Sequence, residues 1–249
     1  MGIVSEIGVV IPCYNEATRL DFALLEELLL SPDLKLFLVD DGSTDTTLER
    51  LNEFSALHPN RVKIVALRPN GGKAEAVRRG LLTALEEGTP IVGYLDADMA
   101  TPPSEMLRLV DTLKASSAKL AMGTRVRRLG ADIQRSTARH YLGRLFATLA
   151  SWSLSMPVYD TQCGAKAARD TATLRRALSE PFTSRWAFDV QLLDRLTSDA
   201  KVPYGLEALL EMPLQAWGER GGSKLSSQAM LRAGVDLVEV GFQRRWRRR

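Results

Sequence analysis

The chain has 249 residues, of which 45% are hydrophobic and 25% are charged, so it is long enough for one large α/β domain or two small ones. Its net charge of +3 is local: five of the 33 basic residues lie in the last six positions, and without them the balance is 28 minus 30, or −2. The two cysteines and two histidines have no metal-ligand spacing, and no apolar run approaches the roughly 20 residues of a membrane span, which excludes a disulfide scaffold and a zinc module and predicts a soluble, cytoplasmic protein.

Short apolar runs alternate with segments of helical period along the first half of the chain. The runs predict strands at 7–12, 35–39, 62–67, 91–95 and 119–122. Between them we expect helices at 18–30, 44–57, 72–87 and 103–115, the second opened by a Ser43/Thr44 cap and the last by Pro102-Pro103. This alternation indicates parallel strands in a doubly wound, Rossmann-like sheet with flanking helices.

Two carboxylates end the fourth predicted strand, at Asp96 and Asp98. Residues i and i+2 of a strand share a face about 6.6 Å apart. At an effective dielectric near 20, two unit charges at that distance repel by about 2.5 kcal/mol. A divalent cation, or a cation that carries a substrate phosphate, would offset the repulsion, although the pair could also only cap the following segment.

Polar residues follow two other predicted strands, in the segments 12–16 and 40–45. Doubly wound sheets bind ligands beyond the carboxyl ends of their strands, so we expect these residues to share an edge with Asp96. Taken alone, 40–43 could be an ordinary turn before a capped helix. The segment Asn70-Gly71-Gly72-Lys73 could offer backbone N–H groups to a phosphate, or could be a simple turn.

The second half of the chain has more arginine and fewer strand signals. We expect a helix at 139–155, a polar segment at 160–164, a second helix opened by residues 185–189, and an apolar segment at 206–214 before a glycine-rich stretch. Because no linker or repeat separates these parts, we predict a single domain. Its parts are a nucleotide-sugar-binding half (1–123), an acceptor-side half (124–226) and a basic amphipathic C-terminal helix (227–249).

Eight segments in this order resemble the inverting family 2 glycosyltransferases of GT-A fold. They are "VVIPCYNE", "LVDDGSTDTT", "RPNGGKAEAVRRG", "YLDADMATPP", "GTR", "DTQCGAK", "RWAFDVQLL" and "GGSKL". The likeness is greatest to dolichyl-phosphate β-glucosyltransferases and bacterial polyprenyl-phosphate relatives. It implies a nucleotide-diphosphate sugar donor such as UDP-glucose, a polyprenyl or dolichyl phosphate acceptor, and Mg²⁺ or Mn²⁺.

The resemblance also assigns roles to residues. Asp98 and Asp96 would hold the metal against the donor diphosphate, and Ala97 would lie under the nucleotide. Arg125 and Lys224 would form a cationic clamp on phosphate groups, with Arg220 as a possible helper. Lys73, in the segment that could face a phosphate, is counted with the donor-binding residues. The base and ribose pocket would comprise Pro12, Tyr14, Glu16, Asp40 and Asp41.

The acceptor decides whether the reaction needs a base. A phosphate is already ionised at neutral pH, whereas a hydroxyl acceptor would need a carboxylate such as Asp160 or Asp189 within about 3 Å to take its proton. Two rival functions remain open: transfer to a soluble hydroxyl compound, and a non-catalytic nucleotide-sugar-binding module at a membrane.

The C-terminal segment carries an apolar stripe, Val235, Val238, Phe242 and Trp246, and finishes in arginines. Such a helix could lie on an anionic membrane surface, pack on the domain, or flank a membrane segment. Six basic or aromatic residues are thin support for nucleic-acid binding, which we do not expect. The sequence makes no prediction of oligomeric state.

Overall fold

The computed structural model describes residues 6–134, 137–184, 187–218 and 244, and no side chains at 137–140. The strands are β1 (Ile7–Cys13), β2 (Leu34–Asp40), β3 (Val62–Ala66), β4 (Ile91–Leu95), β5 (Leu120–Thr124), β6 (Asp132–Gln134), β7 (Ala165–Arg169), β8 (Leu209–Pro213) and β9 (Ala216–Gly218). The helices are α1 (Phe22–Leu29), α2 (Thr47–Leu57), α3 (Lys73–Glu86), α4 (Pro103–Lys114), α5 (Thr137–Leu154), α6 (Ala172–Ser179) and α7 (Phe188–Thr197). A short 3₁₀ turn, Leu206–Ala208, precedes β8.

Seven strands form one mostly parallel sheet in the order β3-β2-β1-β4-β7-β5-β8. The strands β1 to β4 are mutually parallel, and β1 lies between β2 and β4, so the strand order reverses beside β1. Loops that leave β1 and β4 diverge at such a switch point and open a crevice at the carboxyl edge. The expected α/β doubly wound sheet is confirmed, and so are all five strands predicted in the first half.

The strand β7 was not predicted, and it is antiparallel to both of its neighbours. It pairs with β4 through Leu95↔Ala165 and with β5 through Leu120↔Ala168. Its sequence, AKAAR, lacks the β-branched and aromatic residues that mark a strand. Burial between two strands, not propensity, makes this segment extended. Because β7 runs backwards, the loop before it reaches the same edge of the sheet as the loop after β4.

Helices cover both faces of the sheet and bury two hydrophobic layers. One layer packs α1, α2 and α4 against the sheet, with Leu25, Phe54 and Leu109 among its buried side chains. The other packs α3, α5, α6 and α7, with Val77, Leu154 and Leu193 in its interior. Each fully buried side chain of this size contributes about 1.5–3 kcal/mol relative to exposure, so the two layers fix the strands that present the polar edge.

The predicted cap of the second helix was wrong. The helix α2 begins at Thr47, and the Asp45 carboxylate accepts the Thr47 backbone N–H at 3.0 Å. Ser43 and Thr44 instead bind Asn15 in the loop after β1: the Ser43 hydroxyl accepts the Asn15 N–H, and the Thr44 N–H donates to the Asn15 amide oxygen. Tertiary hydrogen bonds have replaced local capping here. The prolines that open α4 lie as predicted, with Pro103 first in the helix.

An ionic group is buried between β4, β7 and α7. The Lys166 ammonium lies 2.8 Å from the Asp189 carboxylate, and their side chains are 2% and 6% exposed. Lys166 also donates to the backbone oxygens of Thr161 and Cys163, while the Tyr94 hydroxyl donates to Asp189. Burial first, and then the Asp189 charge, raises the pKa of Tyr94 well above its ordinary value, so the phenol keeps its proton.

Arg244 is the one residue of the predicted C-terminal helix that the described structure includes. Its guanidinium is buried, ion-paired with Asp194 at 2.8 Å, and donates to the Thr197 and Ser198 hydroxyls at the end of α7. The Arg244 side chain is therefore packed against α7 and is not on a solvated face. The apolar stripe of that segment lies outside the described residues. Across the described ranges, no helix is both long and apolar enough to cross a bilayer.

We expect Lys166→Met to destabilise the protein by about 3–5 kcal/mol, because it leaves the Asp189 charge buried without its partner. The measurement is the free energy of unfolding from urea titration. Lys63→Met is the matched control, since Lys63 forms an exposed ion pair with Glu87 and its loss should cost at most about 1 kcal/mol. The double variant Lys166→Met/Asp189→Leu should recover part of the loss. Equal losses for Lys166→Met and Lys63→Met would contradict this account.

Candidate active site

The loops that follow β1, β2, β3, β4 and β5 lie at the carboxyl edge of the sheet, and the loop that precedes the antiparallel β7 joins them there. Hydrogen bonds join them: the Asp41 N–H donates to the Cys13 carbonyl at 2.9 Å, and the Asp96 N–H donates to the Gly164 carbonyl at 3.0 Å. Apart from Asp189, which lies in α7, the predicted site residues within the described ranges lie in these loops, at the ends of β1 and β2, or at the start of α3. The expectation that the strand ends share one edge is confirmed.

The loop after β1 presents one acid to the edge. Pro12 is half-buried and Tyr14 is exposed, while Glu16 is buried and receives both an Nε hydrogen bond at 2.7 Å and a second guanidinium contact from Arg19. The hydrogen bond that Arg19 donates to Glu16, and after it the charges of Glu16 and Asp98, raise the pKa of Arg19. Arg19 is therefore a cation of this edge, near Asp98, that the sequence reading did not single out.

Asp40 and Asp41 are both buried, but their surroundings differ. Asp40 accepts the Ser43 N–H at 3.3 Å and lies 3.5 Å from the Arg68 guanidinium. The Asp41 carboxylate accepts the N–H groups of Gly71 and Gly72, both at 2.8 Å. Those two amides are thus already occupied, and they do not offer the phosphate site that the segment 70–73 allowed.

The turn before α3 aims Lys73 at the acidic strand end. Gly72, with φ +86°, takes a positive-φ conformation that a side chain would strain, and the helix starts at the next residue. The Lys73 ammonium lies 2.6 Å from Asp96 Oδ1. Burial alone would lower the pKa of Lys73, but the nearby carboxylates, of which Asp96 contributes most, raise it. Lys73 is therefore a charged partner of the Asp-x-Asp segment.

Asp96 and Asp98 offer hard oxygen atoms of the kind that Mg²⁺ and Mn²⁺ prefer. Asp96 Oδ1 is buried and accepts no well-oriented hydrogen bond apart from its ion pair with Lys73. One oxygen of Asp98 accepts the Ala100 N–H at 3.0 Å, which leaves the other without a hydrogen bond in the described part of the chain. Gly164 makes room here, because a Cβ at that position would collide with the Asp96 carboxylate. Two carboxylates suffice for a metal that takes its remaining ligands from water and phosphate, although no group of three His, Cys, Asp or Glu side chains converges in the described ranges.

Arg125 and Asp160 form a two-pronged ion pair. The Nε and Nη2 atoms of Arg125 lie 2.7 and 2.8 Å from the two carboxylate oxygens, and the Arg125 backbone N–H also donates to Asp160. Burial would lower the pKa of Arg125, but the Asp160 charge outweighs it and raises the pKa further. Both oxygens of Asp160 are therefore engaged, and the guanidinium is held in one orientation over the Trp217 ring at 5.4 Å.

Glu211 supports this pair from β8. Its carboxylate accepts the backbone N–H groups of Tyr159 and Asp160 at 2.9 Å, which fixes the start of the loop before β7. Burial raises the pKa of Glu211 above its ordinary value. Glu211 and Lys166 are two supports that sequence reasoning missed. Lys166 lay within the quoted segment "DTQCGAK", whereas no pattern marked Glu211.

Of the remaining candidate residues, Ala97 and Asp189 lie within the described ranges and the others do not. Ala97 is buried in the loop after β4. Asp189 contacts Lys166 and Tyr94 within the core, below the edge. Lys224 and Arg220 lie outside the described residues, as do Arg185 and Trp186.

Comparison with known proteins gives consistent results. A family model for Glycosyl transferase family 2 matches residues 8–175, more than half of the chain. A dolichyl-phosphate beta-glucosyltransferase of Drosophila melanogaster is 32% identical over 253 residues, covering 94% of this chain and 74% of the relative. A polyprenol monophosphomannose synthase of Mycolicibacterium smegmatis is 27% identical over 238 residues, covering 95% and 87%.

Solved structures share the fold. Glucosyl-3-phosphoglycerate synthase from Mycobacterium tuberculosis, crystallised with Mn²⁺, UDP and glucosyl-3-phosphoglycerate, gives a TM-score of 0.65 at 21% identity, covering 96% of this chain and 79% of that one. This likeness confirms the expected GT-A fold and shows nothing about substrate. Together with the acidic strand end, the family match confirms the resemblance: the chain belongs to glycosyl transferase family 2.

Proposed function

We propose that this protein transfers a hexose, glucose from UDP-glucose, to a polyprenyl or dolichyl phosphate with inversion at the anomeric carbon. The observation that carries the proposal is the similarity to dolichyl-phosphate beta-glucosyltransferases over 94% of the chain, at up to 32% identity. The polyprenol monophosphomannose synthase matches with comparable coverage, so the relatives together support the broader statement that a hexose is transferred to a polyprenyl phosphate. The reaction would take place at the cytoplasmic face of a membrane.

The donor would occupy the crevice beside β1 and β4. Pro12, Tyr14 and Glu16 would line the base and ribose side together with Asp40 and Asp41, whose carboxylates hold the loops after β2 and β3 in place. Ala97 would lie under the nucleotide. The half 1–123 would thus bind the donor, while 124–226 would complete the acceptor side.

Asp96 and Asp98 would hold Mg²⁺ or Mn²⁺, and the bound ion would neutralise charge on the departing diphosphate. Lys73 lies against Asp96 and would move its ammonium toward a donor phosphate, because that phosphate competes for the same cation. Arg125 is held rigidly by Asp160 and would stabilise negative charge that develops during a single in-line displacement. Lys224 and Arg220 would complete the cationic clamp.

The engagement of Asp160 favours a phosphate acceptor over a hydroxyl. A general base needs a free oxygen within hydrogen-bond reach of the proton it removes. Both oxygens of Asp160 accept hydrogen bonds from Arg125, and Asp189 contacts a lysine and a tyrosine inside the core. A phosphate oxygen needs no base at neutral pH, so these carboxylates can serve to position cations.

Removal of the metal tests the donor side. Treatment with a chelator should abolish turnover of UDP-glucose, and Mn²⁺ or Mg²⁺ should restore it. Asp98→Asn should lower kcat/KM by about 10²–10³, as expected for lost stabilisation of developing charge. Turnover is measured as UDP release, and the unfolding temperature of each sample controls for damage. Stripped, folded protein that reacts at the original rate would refute the metal assignment.

Asp160→Asn tests whether Asp160 positions Arg125 or removes a proton. Positioning predicts a loss of about tenfold or more in kcat/KM, with the pH–rate profile unchanged in shape. Arg125→Ala should then add little to the loss when the two substitutions are combined, because the residues act as a pair. If Asp160 were the base, its substitution would instead abolish the acidic limb of the profile.

The choice of acceptor tests the proposal as a whole. We expect glucose transfer to a short-chain polyprenyl phosphate and no transfer to glycerol or to 3-phosphoglycerate, with product detected by mass spectrometry. Transfer only to the hydroxyl compounds would support the soluble-acceptor alternative. Metal-dependent UDP-glucose binding without transfer to any acceptor would support a non-catalytic binding module.

A further inference from the structure

Glu211 and Lys166 lie on the same face of the sheet, with one residue between them. The strand β8 pairs Glu211 with Met122 of β5, and the strand β7 pairs Lys166 with the same methionine. Side chains of residues directly opposite each other on neighbouring strands point to the same side of a sheet. Met122 is buried in the layer that packs α3, α5, α6 and α7, so an acid and a base flank it on that face.

These two side chains hold the loop before β7 by opposite groups of its backbone. One oxygen of Glu211 accepts the N–H groups of Tyr159 and Asp160, each at 2.9 Å. Lys166 donates to two backbone carbonyls later in the loop, at 2.9 and 2.8 Å. The acid binds donors at the start of the loop and the base binds acceptors near its end, so the loop is fixed at two points.

This loop carries groups that orient two parts of the candidate site. Asp160 binds the Arg125 guanidinium with both carboxylate oxygens, at 2.7 and 2.8 Å. Four residues later, the Gly164 carbonyl accepts the Asp96 N–H at 3.0 Å. Release of the loop start from Glu211 would therefore shift Asp160 and the guanidinium together. A misplacement of about 1 Å in a reacting site can cost about 10²-fold in rate.

The carboxylate at position 211 does not serve stability. Burial first, and then the Asp160 charge, raise the pKa of Glu211 above its ordinary value, although the two backbone N–H groups and Lys166 lower it. A raised pKa means that the folded protein holds the ionised acid less well than water does. Above that pKa the group is ionised in both states, so its burial opposes folding. Its two contacts with the loop point instead to a role in the site.

We propose that Glu211 is a positioning residue for sugar transfer: it holds the start of the loop before β7 and thereby keeps Asp160 and the Arg125 guanidinium in their working orientation. The proposal rests on the proposed function, which gives Arg125 its role, and deepens it by naming a residue of β8 that acts through Asp160. Because Arg125 stabilises charge in the transition state, loss of Glu211 lowers kcat and leaves the KM for the donor nearly unchanged.

Steady-state kinetics with UDP-glucose and a short-chain polyprenyl phosphate test this role. Glu211→Leu should lower kcat by about tenfold or more, with the KM for UDP-glucose within about twofold of the parent. Glu211→Gln keeps one accepting oxygen and should lose only about threefold. In the Asp160→Asn background, Glu211→Leu should cost less than about twofold in kcat, because the two residues act on the same guanidinium.

Asp199→Leu is the matched control. The Asp199 carboxylate also accepts two backbone N–H groups, those of Lys201 and Val202, at 3.0 and 2.7 Å. It lies between α7 and β8, and β8 is parallel to β5, so Asp199 precedes the end of the strand that is remote from the site. Its substitution also breaks an ion pair with Arg176 and should lower the unfolding temperature at least as much as Glu211→Leu does, while kcat stays within about twofold of the parent.

A measurement without substrate separates this proposal from the proposed function. The Arg125 Nε–H of the full chain, observed by NMR after ¹⁵N-arginine labelling and assigned from its absence in Arg125→Lys, should exchange slowly with water. Exchange should be about tenfold or more faster in Glu211→Leu, because the ion pair opens more often, and unchanged in Asp199→Leu.

The outcomes distinguish the two proposals. A parent protein that transfers no sugar to polyprenyl phosphate would contradict the proposed function alone, and the exchange rate of the Arg125 Nε–H would then decide whether Glu211 positions Arg125. Unchanged exchange in Glu211→Leu would overturn the positioning role. So would a raised KM at constant kcat, or a loss in the double variant equal to the sum of the two single losses in free energy.

Discussion

The antiparallel pairing of β7 with β4 organises the carboxyl edge of the sheet. In a sheet of parallel strands only the loops that follow strands would meet at this edge. Because β7 runs the other way, the loop that precedes it arrives there too, and the Gly164 carbonyl accepts the Asp96 N–H. The same pairing places Lys166 opposite Tyr94, directly behind the acidic strand end. The loop before β7 and the carboxylates that follow β4 are therefore parts of one hydrogen-bonded unit.

Charge compensation is the second constraint on this edge. Several carboxylates at this edge or in the core below it are buried or half-buried, and each has a cationic partner: Lys73 for Asp96, Arg125 for Asp160, and Lys166 for Asp189. Unpaired buried charges would cost several kcal/mol each, so these cations are needed for folding even without a substrate. A phosphate or a metal bound as we propose would exchange partners within an existing network, which would lower the cost of rearrangement on binding.

Much of the first half of the fold could be predicted from the sequence. Period and alternation gave the strands and helices of the first half to within a few residues, because each is long and strongly patterned. The acidic strand end pointed to a cation before any family was considered. By contrast, β7 was not predicted, because its sequence AKAAR has no strand signal. The role of Glu211 was not predicted either, because nothing in its segment indicates that its side chain binds the backbone of a distant loop. Asp41 was assigned to the nucleotide pocket, yet its carboxylate also binds the Gly71 and Gly72 amides.

The sequence by itself determined the fold class, the family and the identity of the acids at 96 and 98, since these depend on local periodicity and on residues close together in the chain. Only the tertiary structure decided which charges pair. Arg125 and Asp160 are 35 positions apart, and their contact depends on the order of β4, β7 and β5 in the sheet. It also decided which face of α5 is buried, because Ala150 and Leu154 pack into the layer that α7 shares.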